Sequence, residues 1–142
     1  MTNRLQALEK QLGDTLIGHL GIEITTLEKS RVSGKMPVDR RTTQPSGVLH
    51  GGASAAFAET LASIGGMANV DFPDEMAIGV EVNANHIRAV RKGWVLGVAT
   101  PAHIGNMTQV WEIRITNEAG ELICLSRVTL ANLKQKQEQT AR

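Results

Sequence analysis

The sequence predicts an α+β fold in which an antiparallel sheet wraps around one long central helix. Three observations carry that reading. The stretch over residues 49 to 64 contains no Lys or Arg and reads as a helix too apolar for a surface, with Glu59 in its middle. Segments of period-two alternation flank it on both sides. The order of helix, two strands, long helix and four strands lets antiparallel hairpins make most of the connections.

Each element has a local reason. Leu5, Leu8 and Leu12 recur at helical spacing within residues 3 to 12, and Gly13 supplies a stop. Asp14 is placed to cap a second short helical piece reaching Gly18 or His19. Ile22, Ile24 and Thr26 alternate within residues 21 to 29. Val32, Gly34, Met36 and Val38 alternate with Ser33, Lys35 and Pro37, so a hairpin at Lys29-Ser30-Arg31 joins two strands. Residues 39 to 49 read as a loop. The apolar helix follows over about Gly51 to Met67, its end weakened by Gly65-Gly66. Asp71, Pro73 and Asp74 mark a turn. Four strands complete the chain, over residues 76 to 88, 94 to 104, a segment in which Trp111, Ile113 and Ile115 oppose Glu112, Arg114 and Thr116, and residues 121 to 133. Asn117-Glu118-Ala119-Gly120 joins the last two as a hairpin. Residues 1 to 133 form one domain, and the polar stretch 134 to 142 is expected to fray.

Composition bounds the function. A chain of 142 residues with 42% hydrophobic and 20% charged residues can bury a core without disulfides or metal. A formal net charge of +1 gives no reason to expect nucleic acid or a membrane as partner. A lone cysteine, Cys124, forms no internal disulfide, which fits a reducing, cytoplasmic setting. The N-terminus lacks the unbroken apolar core of a signal peptide, and no apolar run approaches the ~18 residues of a membrane span. His19, His50, His86 and His103 are scattered without ligand spacing, so no metal is expected. There is no G-x-G-x-x-G or P-loop pattern, so no nucleotide cofactor is expected either.

Glu59 is the first candidate for chemistry. A carboxylate in an apolar helix is costly unless partnered, and groups kept at such cost are enriched at active sites. A structural carboxylate tied to a backbone or hydroxyl partner is the alternative. Gly52, Ala56, Glu59 and Ser63 form one narrow helical stripe, small apart from the acid, which leaves room for a ligand or for close packing. At the helix start, the N–H groups lack internal partners and carry partial positive charge. Gly51 and Gly52 let a substrate approach that backbone, or merely permit a tight turn into the helix. His86 and Arg88 share a strand face, with Arg91 and Lys92 in the next turn.

Gln44-Pro45-x-Gly47-x-Leu49-His50-Gly51-Gly52-Ala53, followed by Glu59 and Ser63, resembles the hotdog-fold acyl-CoA thioesterases. It is most similar to the branch with 4-hydroxybenzoyl-CoA thioesterase, 1,4-dihydroxy-2-naphthoyl-CoA hydrolase and the phenylacetate-pathway enzymes. The likeness extends over about residues 14 to 133, with Met36-Pro37-Val38-Asp39, Asn83-Ala84-Asn85-His86-Ile87-Arg88, Gln109-Val110-Trp111 and Ser126-Arg127. It implies hydrolysis of acyl-CoA, with aromatic acyl groups favoured and no cofactor. Glu59 would act as nucleophile or general base, and the Gly51 N–H would polarise the thioester carbonyl. Gln44 would bond the substrate near its carbonyl, His50 would stand beside the site, and Ser63 would orient the carboxylate or a water. His86, Arg88 and Arg91 would meet the CoA phosphates, with Asn106 and Arg127 as weaker candidates. A hotdog dehydratase or hydratase, and a non-catalytic acyl-CoA-binding module, remain open beside this reading.

Helix geometry adds a constraint. Gly51 and Glu59 are eight residues apart, which is about 12 Å along one helix at ~1.5 Å per residue. One thioester carbon touches both only if they come from different subunits. Like the family's dimers, the chain is therefore expected to pair about a two-fold axis with shared sites, and further as a dimer of dimers.

Overall fold

The structure is a computed structural model and describes residues 2 to 136. The elements are α1 (Thr2–Leu12), α2 (Leu16–His19), β1 (Glu23–Glu28), β2 (Arg31–Pro37), α3 (Gly51–Met67), β3 (Glu75–His86), β4 (Trp94–Ile104), β5 (Thr108–Asn117) and β6 (Leu122–Lys134). All six strands join one antiparallel sheet in the order β1-β2-β4-β5-β6-β3. This is the expected α+β architecture.

Three boundaries differ from the sequence reading. Thr15, not Asp14, occupies the N-cap of α2, and its hydroxyl turns back to donate to the Leu12 carbonyl at 2.6 Å. β3 stops at His86 because the N–H groups of Ile87 and Arg88 both turn onto the Ile123 carbonyl. β6 runs to Lys134, and the polar stretch from residue 137 onward lies outside the described residues.

α3 lies across one face of the sheet. That face is apolar because alternate residues point the same way: Trp111, Ile113 and Ile115 on β5 are wholly buried while Glu112 and Arg114 are exposed. The helix meets it with Phe57, Ala58, Leu61 and Ala62, also wholly buried. Gly65 and Gly66 lie within α3 rather than ending it. A Cβ on Gly65 would sit 2.6 Å from the Trp111 ring, and one on Gly66 would strike Leu130. Glycine there allows contact between helix and sheet that alanine would prevent.

A buried polar knot completes the seam. Gln109 is wholly buried; its Nε2 donates to the Gly66 carbonyl at 3.2 Å and to Asn132 Oδ1 at 3.0 Å, and its Oε1 accepts the Trp111 indole N–H at 3.0 Å. Every polar atom so enclosed must be paired, which makes the arrangement specific. Cys124 is also buried on this side, and burial pushes its thiol pKa up, as befits a packing residue.

Within one chain the sheet covers only one side of α3. On the other side Ala55, Ala56, Glu59, Thr60, Ser63 and Ile64 are half-buried and Gly52 is exposed. β3 is an edge strand, and it leaves Ile78, Val80 and Val82 in solvent. Among the described residues, no helix is long and apolar enough to cross a membrane.

The close seam predicts an inversion of helix propensity. Gly65→Ala gains up to ~1 kcal/mol of intrinsic helix preference, yet overpacking against Trp111 costs about 1–3 kcal/mol. Urea unfolding should show net destabilisation, and a variant as stable as the parent would contradict the tight contact.

Candidate active site

The loop before α3 is held at both ends. The Thr42 hydroxyl donates to the Pro37 carbonyl at 2.7 Å and accepts the Asp39 N–H at 3.1 Å. Asp39 takes the Arg41 guanidinium and backbone N–H, which hold its carboxyl below the usual carboxylate range. The Gln44 N–H reaches the Val48 carbonyl at 2.9 Å, and Gly47, at φ 82°, closes the turn between them. Gln44 is thereby presented half-buried, its side-chain amide donating to the Ser46 hydroxyl at 3.0 Å.

His50 then starts the helix. Its backbone is extended, and its Nδ1 accepts the Gly52 N–H at 2.8 Å. Its carbonyl accepts the N–H groups of Ala53 and Ser54. The Gly51 N–H makes no hydrogen bond to the described residues. Of the two glycine amides, His50 occupies one and leaves the other free at the positive end of the helix dipole. The His86 imidazole lies against that point, since a Cβ on Gly51 would be 2.7 Å from its Nε2.

A cleft of about 370 Å³ opens there, lined by Gln44, Gly51, Ser54, His86 and Arg88 among others. Ser54 is the residue that sequence reasoning missed. It is 1% exposed and lies three residues beyond Gly51 on the same helix face. Its polarity within an apolar run was the available signal. Arg88 stands beyond the end of β3, 3.3 Å from Glu121 in an exposed ion pair. Arg91 donates to the Ser46 carbonyl at 3.3 Å.

Glu59 and Ser63 lie elsewhere. They line a separate cleft of about 240 Å³ with Leu16, Ile17, Leu20 and Ile64. Glu59 is half-buried rather than enclosed, because the outer side of α3 has no sheet over it. Its carboxylate rests on Gly79 of β3, where a Cβ would strike it. Among the described residues it has no hydrogen-bond or ion-pair partner, Ser63 included. The structural-carboxylate alternative, which needs such a partner, has none here.

Asn106 stands apart from the basic residues. It lies in the β4–β5 turn, its carbonyl accepting from Asn132 at 3.3 Å. Asn132 pairs with Ala77 at one end of β3, whereas His86 pairs with Cys124 at the other. Nine residues of strand separate them, roughly 30 Å.

One free amide can stabilise a developing oxyanion, and one unpaired carboxylate can attack a carbonyl or take a proton from water. In a single chain they face different clefts, in keeping with the ~12 Å between them.

Comparison with known proteins follows this geometry. The family model of the thioesterase superfamily matches residues 46–124. The 1,4-dihydroxy-2-naphthoyl-CoA hydrolase of Escherichia coli K12 is 42% identical over 129 residues, covering 91% of this chain and 94% of that protein. A thioesterase from Haemophilus influenzae superposes with a TM-score of 0.89 at 41% identity, over 95% of this chain and 94% of that one. A Staphylococcus aureus thioesterase has been solved as two variants, with TM-scores of 0.81 and 0.83 at 38% and 37% identity, over 84% and 85% of this chain and 98% and 100% of that one. One replaces a glutamine with alanine and the other a glutamate, at positions fifteen residues apart.

The cap at His50 has its own test. His50→Ala should lower stability by about 0.5–1 kcal/mol in denaturant unfolding, and His50→Asn should recover most of it, because both caps accept the Gly52 N–H. Equal stability of the alanine variant and the parent would remove the capping role.

Proposed function

The chain belongs to the thioesterase superfamily, and from that premise we propose how it hydrolyses acyl-CoA to free acid and CoA. The thioester oxygen accepts the Gly51 N–H, which strengthens its hold as negative charge develops there. Glu59 of a second copy supplies the carboxylate. As nucleophile it attacks the carbonyl carbon, the C–S bond breaks, CoA leaves as thiolate, and water opens the resulting anhydride. As base it takes a proton from a water that attacks the same carbon. Gln44 holds the thioester beside Gly51, and Ser63 steadies the carboxylate or the water. The fifteen-residue spacing of Gln44 and Glu59 equals that of the two residues varied in the staphylococcal enzyme, which supports pairing them in one reaction.

One observation carries the reading: the unpartnered amide lies over one end of an open edge strand and the unpartnered carboxylate over its middle, seven residues away. Gly51 is against His86 and Glu59 against Gly79, both on β3. An antiparallel copy pairing along β3 would fill the open edge and bring one chain's Gly51 toward its partner's Glu59. The same two-fold swings the partner's Asn106 toward the His86 end. A dimer of dimers is the larger assembly expected.

Arg88 and Arg91, with His86, flank the mouth of the Gly51 cleft and suit the CoA phosphates. The apolar lining near Glu59 and the likeness to a naphthoyl-CoA hydrolase favour aromatic acyl groups. The commitment of His50 Nδ1 to the Gly52 N–H weighs against a hydratase built on that histidine. The free, buried thiol of Cys124 suits the cytoplasm.

Two variants test the shared site. Glu59→Gln keeps shape and loses charge, and turnover should fall roughly 10²–10⁴-fold. Gly51→Pro removes the one free N–H at a position whose helical backbone accepts proline, preceded by an extended residue as proline requires, and its ring displaces the His86 imidazole. Each alone should be nearly inactive. Subunit exchange between them should restore up to about a quarter of parental activity, because each mixed dimer holds one intact site. A mixture no better than its parents sinks the shared arrangement.

Phosphate recognition is read separately. Arg88→Ala should raise KM for full CoA esters and leave pantetheine esters unchanged. An equal effect on both ester types contradicts the role of Arg88.

A further inference from the structure

The loop that carries Gln44 is strapped to the segment that carries Arg91. Gln44, Pro45, Ser46 and Gly47 form a tight turn, closed by the Gly47 N–H on the Gln44 carbonyl at 2.8 Å, with proline at the second position, where its fixed φ suits the turn. Beside it the Leu49 N–H donates to the Val90 carbonyl at 2.7 Å. Arg91, the next residue, lies over the turn. Its Nη1 donates to the Ser46 carbonyl at 3.3 Å, and a Cβ on Gly47 would stand 3.6 Å from the same nitrogen. Ser46 is therefore held from two sides: its carbonyl takes the arginine, and its hydroxyl takes the Gln44 amide at 3.0 Å. Among the described residues Gln44 lines the Gly51 cleft and Ser46 does not, so Ser46 acts on that cleft only through Gln44.

We propose that Ser46 is a positioning residue that links the two ends of the CoA ester: a phosphate held by Arg91 stiffens the turn, and the Ser46 hydroxyl passes that order to the Gln44 amide at the thioester. The inference rests on the proposed roles of Gln44 at the carbonyl and of Arg91 at the phosphates. A guanidinium has five N–H donors in a planar fork, so Arg91 keeps the Ser46 carbonyl on Nη1 while its other donors take a phosphate. The Gln44 amide has two N–H groups; Ser46 accepts one, and the other is left for the thioester oxygen. An amide fixed in this way loses less conformational freedom when the substrate arrives. Binding energy from the nucleotide, far from the reacting carbon, is then realised as a faster chemical step and not only as tighter binding. Arg88 differs: it pairs with Glu121, which lies off the turn, so it contributes to binding alone.

The test compares benzoyl-CoA with benzoyl-pantetheine, which lacks the phosphates, and reads kcat and KM separately by thiol release. In the parent, kcat should be higher for the CoA ester. Ser46→Ala removes the hydroxyl and keeps the carbonyl. Its kcat for benzoyl-CoA should fall about three- to tenfold with KM within about twofold of the parent, and its kcat for benzoyl-pantetheine should fall less. Ser46→Thr keeps a hydroxyl and should recover most of the loss. Arg91→Lys keeps the charge but not the fork, and should likewise lower kcat more for the CoA ester than for the pantetheine ester. Ser46 is exposed, so the unfolding midpoints of its variants should match the parent, which separates positioning from stability. An unchanged kcat in Ser46→Ala, an equal loss on both esters, or a threonine variant no better than the alanine one overturns the link. Gln44→Ala tests the premise. Near-parental turnover of both esters by that variant would take Gln44 out of the reaction and the link with it, whereas a large loss there beside an unaffected Ser46→Ala overturns the link alone.

Discussion

Close contact between α3 and the sheet, at Gly65 against Trp111 and Gly66 against Leu130, positions every group at the far end of that helix. Interiors pack like crystals, so a helix seated this closely has little freedom to slide or rotate. The Gln109 side chain ties the Gly66 carbonyl to Trp111 and Asn132, fixing the C-terminal turn to β5 and β6. With one end fixed and the body rigid, the first turn must stand over the end of β3. Gly51 meets His86 there, at the opposite end of the same rigid helix from Gly66 and Leu130.

The same rigidity separates the two reactive groups. A bent loop could bring an amide and a carboxylate of one chain together, but a continuous helix holds Gly51 and Glu59 about 12 Å apart. In the proposed reaction a single chain would therefore hold half of a site. An edge strand lies beneath both halves, with apolar residues exposed along it. Unpaired edges are normally blunted by charge or proline, and β3 carries Ile78, Val80 and Val82 there instead.

Charge is arranged by the same economy. The helix start has a free amide but no cation in contact with it, so stabilisation of an oxyanion would come from the backbone dipole. Arg88 lines the Gly51 cleft and is paired with Glu121, and Arg91 stands by the preceding loop, donating to the Ser46 carbonyl. The exposed ion pair is weak and exchanges readily for a phosphate. Among the described residues, the cleft at Glu59 is lined by no cation. The two clefts of one chain thus differ, one with Arg88 and His86 in its lining and the other walled mostly by apolar side chains.

Much of this was legible in the chain itself. Alternation at Trp111, Ile113 and Ile115 marked the buried face of β5, and the apolar run marked α3, because period and polarity are local properties. The free carboxylate stood out as one acid in an apolar helix, and the ~12 Å separation followed from helical rise alone. Other features needed the folded molecule. Gly65-Gly66 read as a weak helix end until Trp111 and Leu130, 46 and 64 residues on in the chain, were seen against them. Glu59 read as enclosed until the open side of α3 was visible, and Ser54 did not count as a site residue until it stood in the wall of a cleft. Which of two glycine amides stays free depended on where the His50 ring turned. Periodicity records which residues avoid water, and it determined the helix, the strands and the candidate acid. What each residue meets across the fold is set by contacts distant in sequence, and those only the tertiary structure decided.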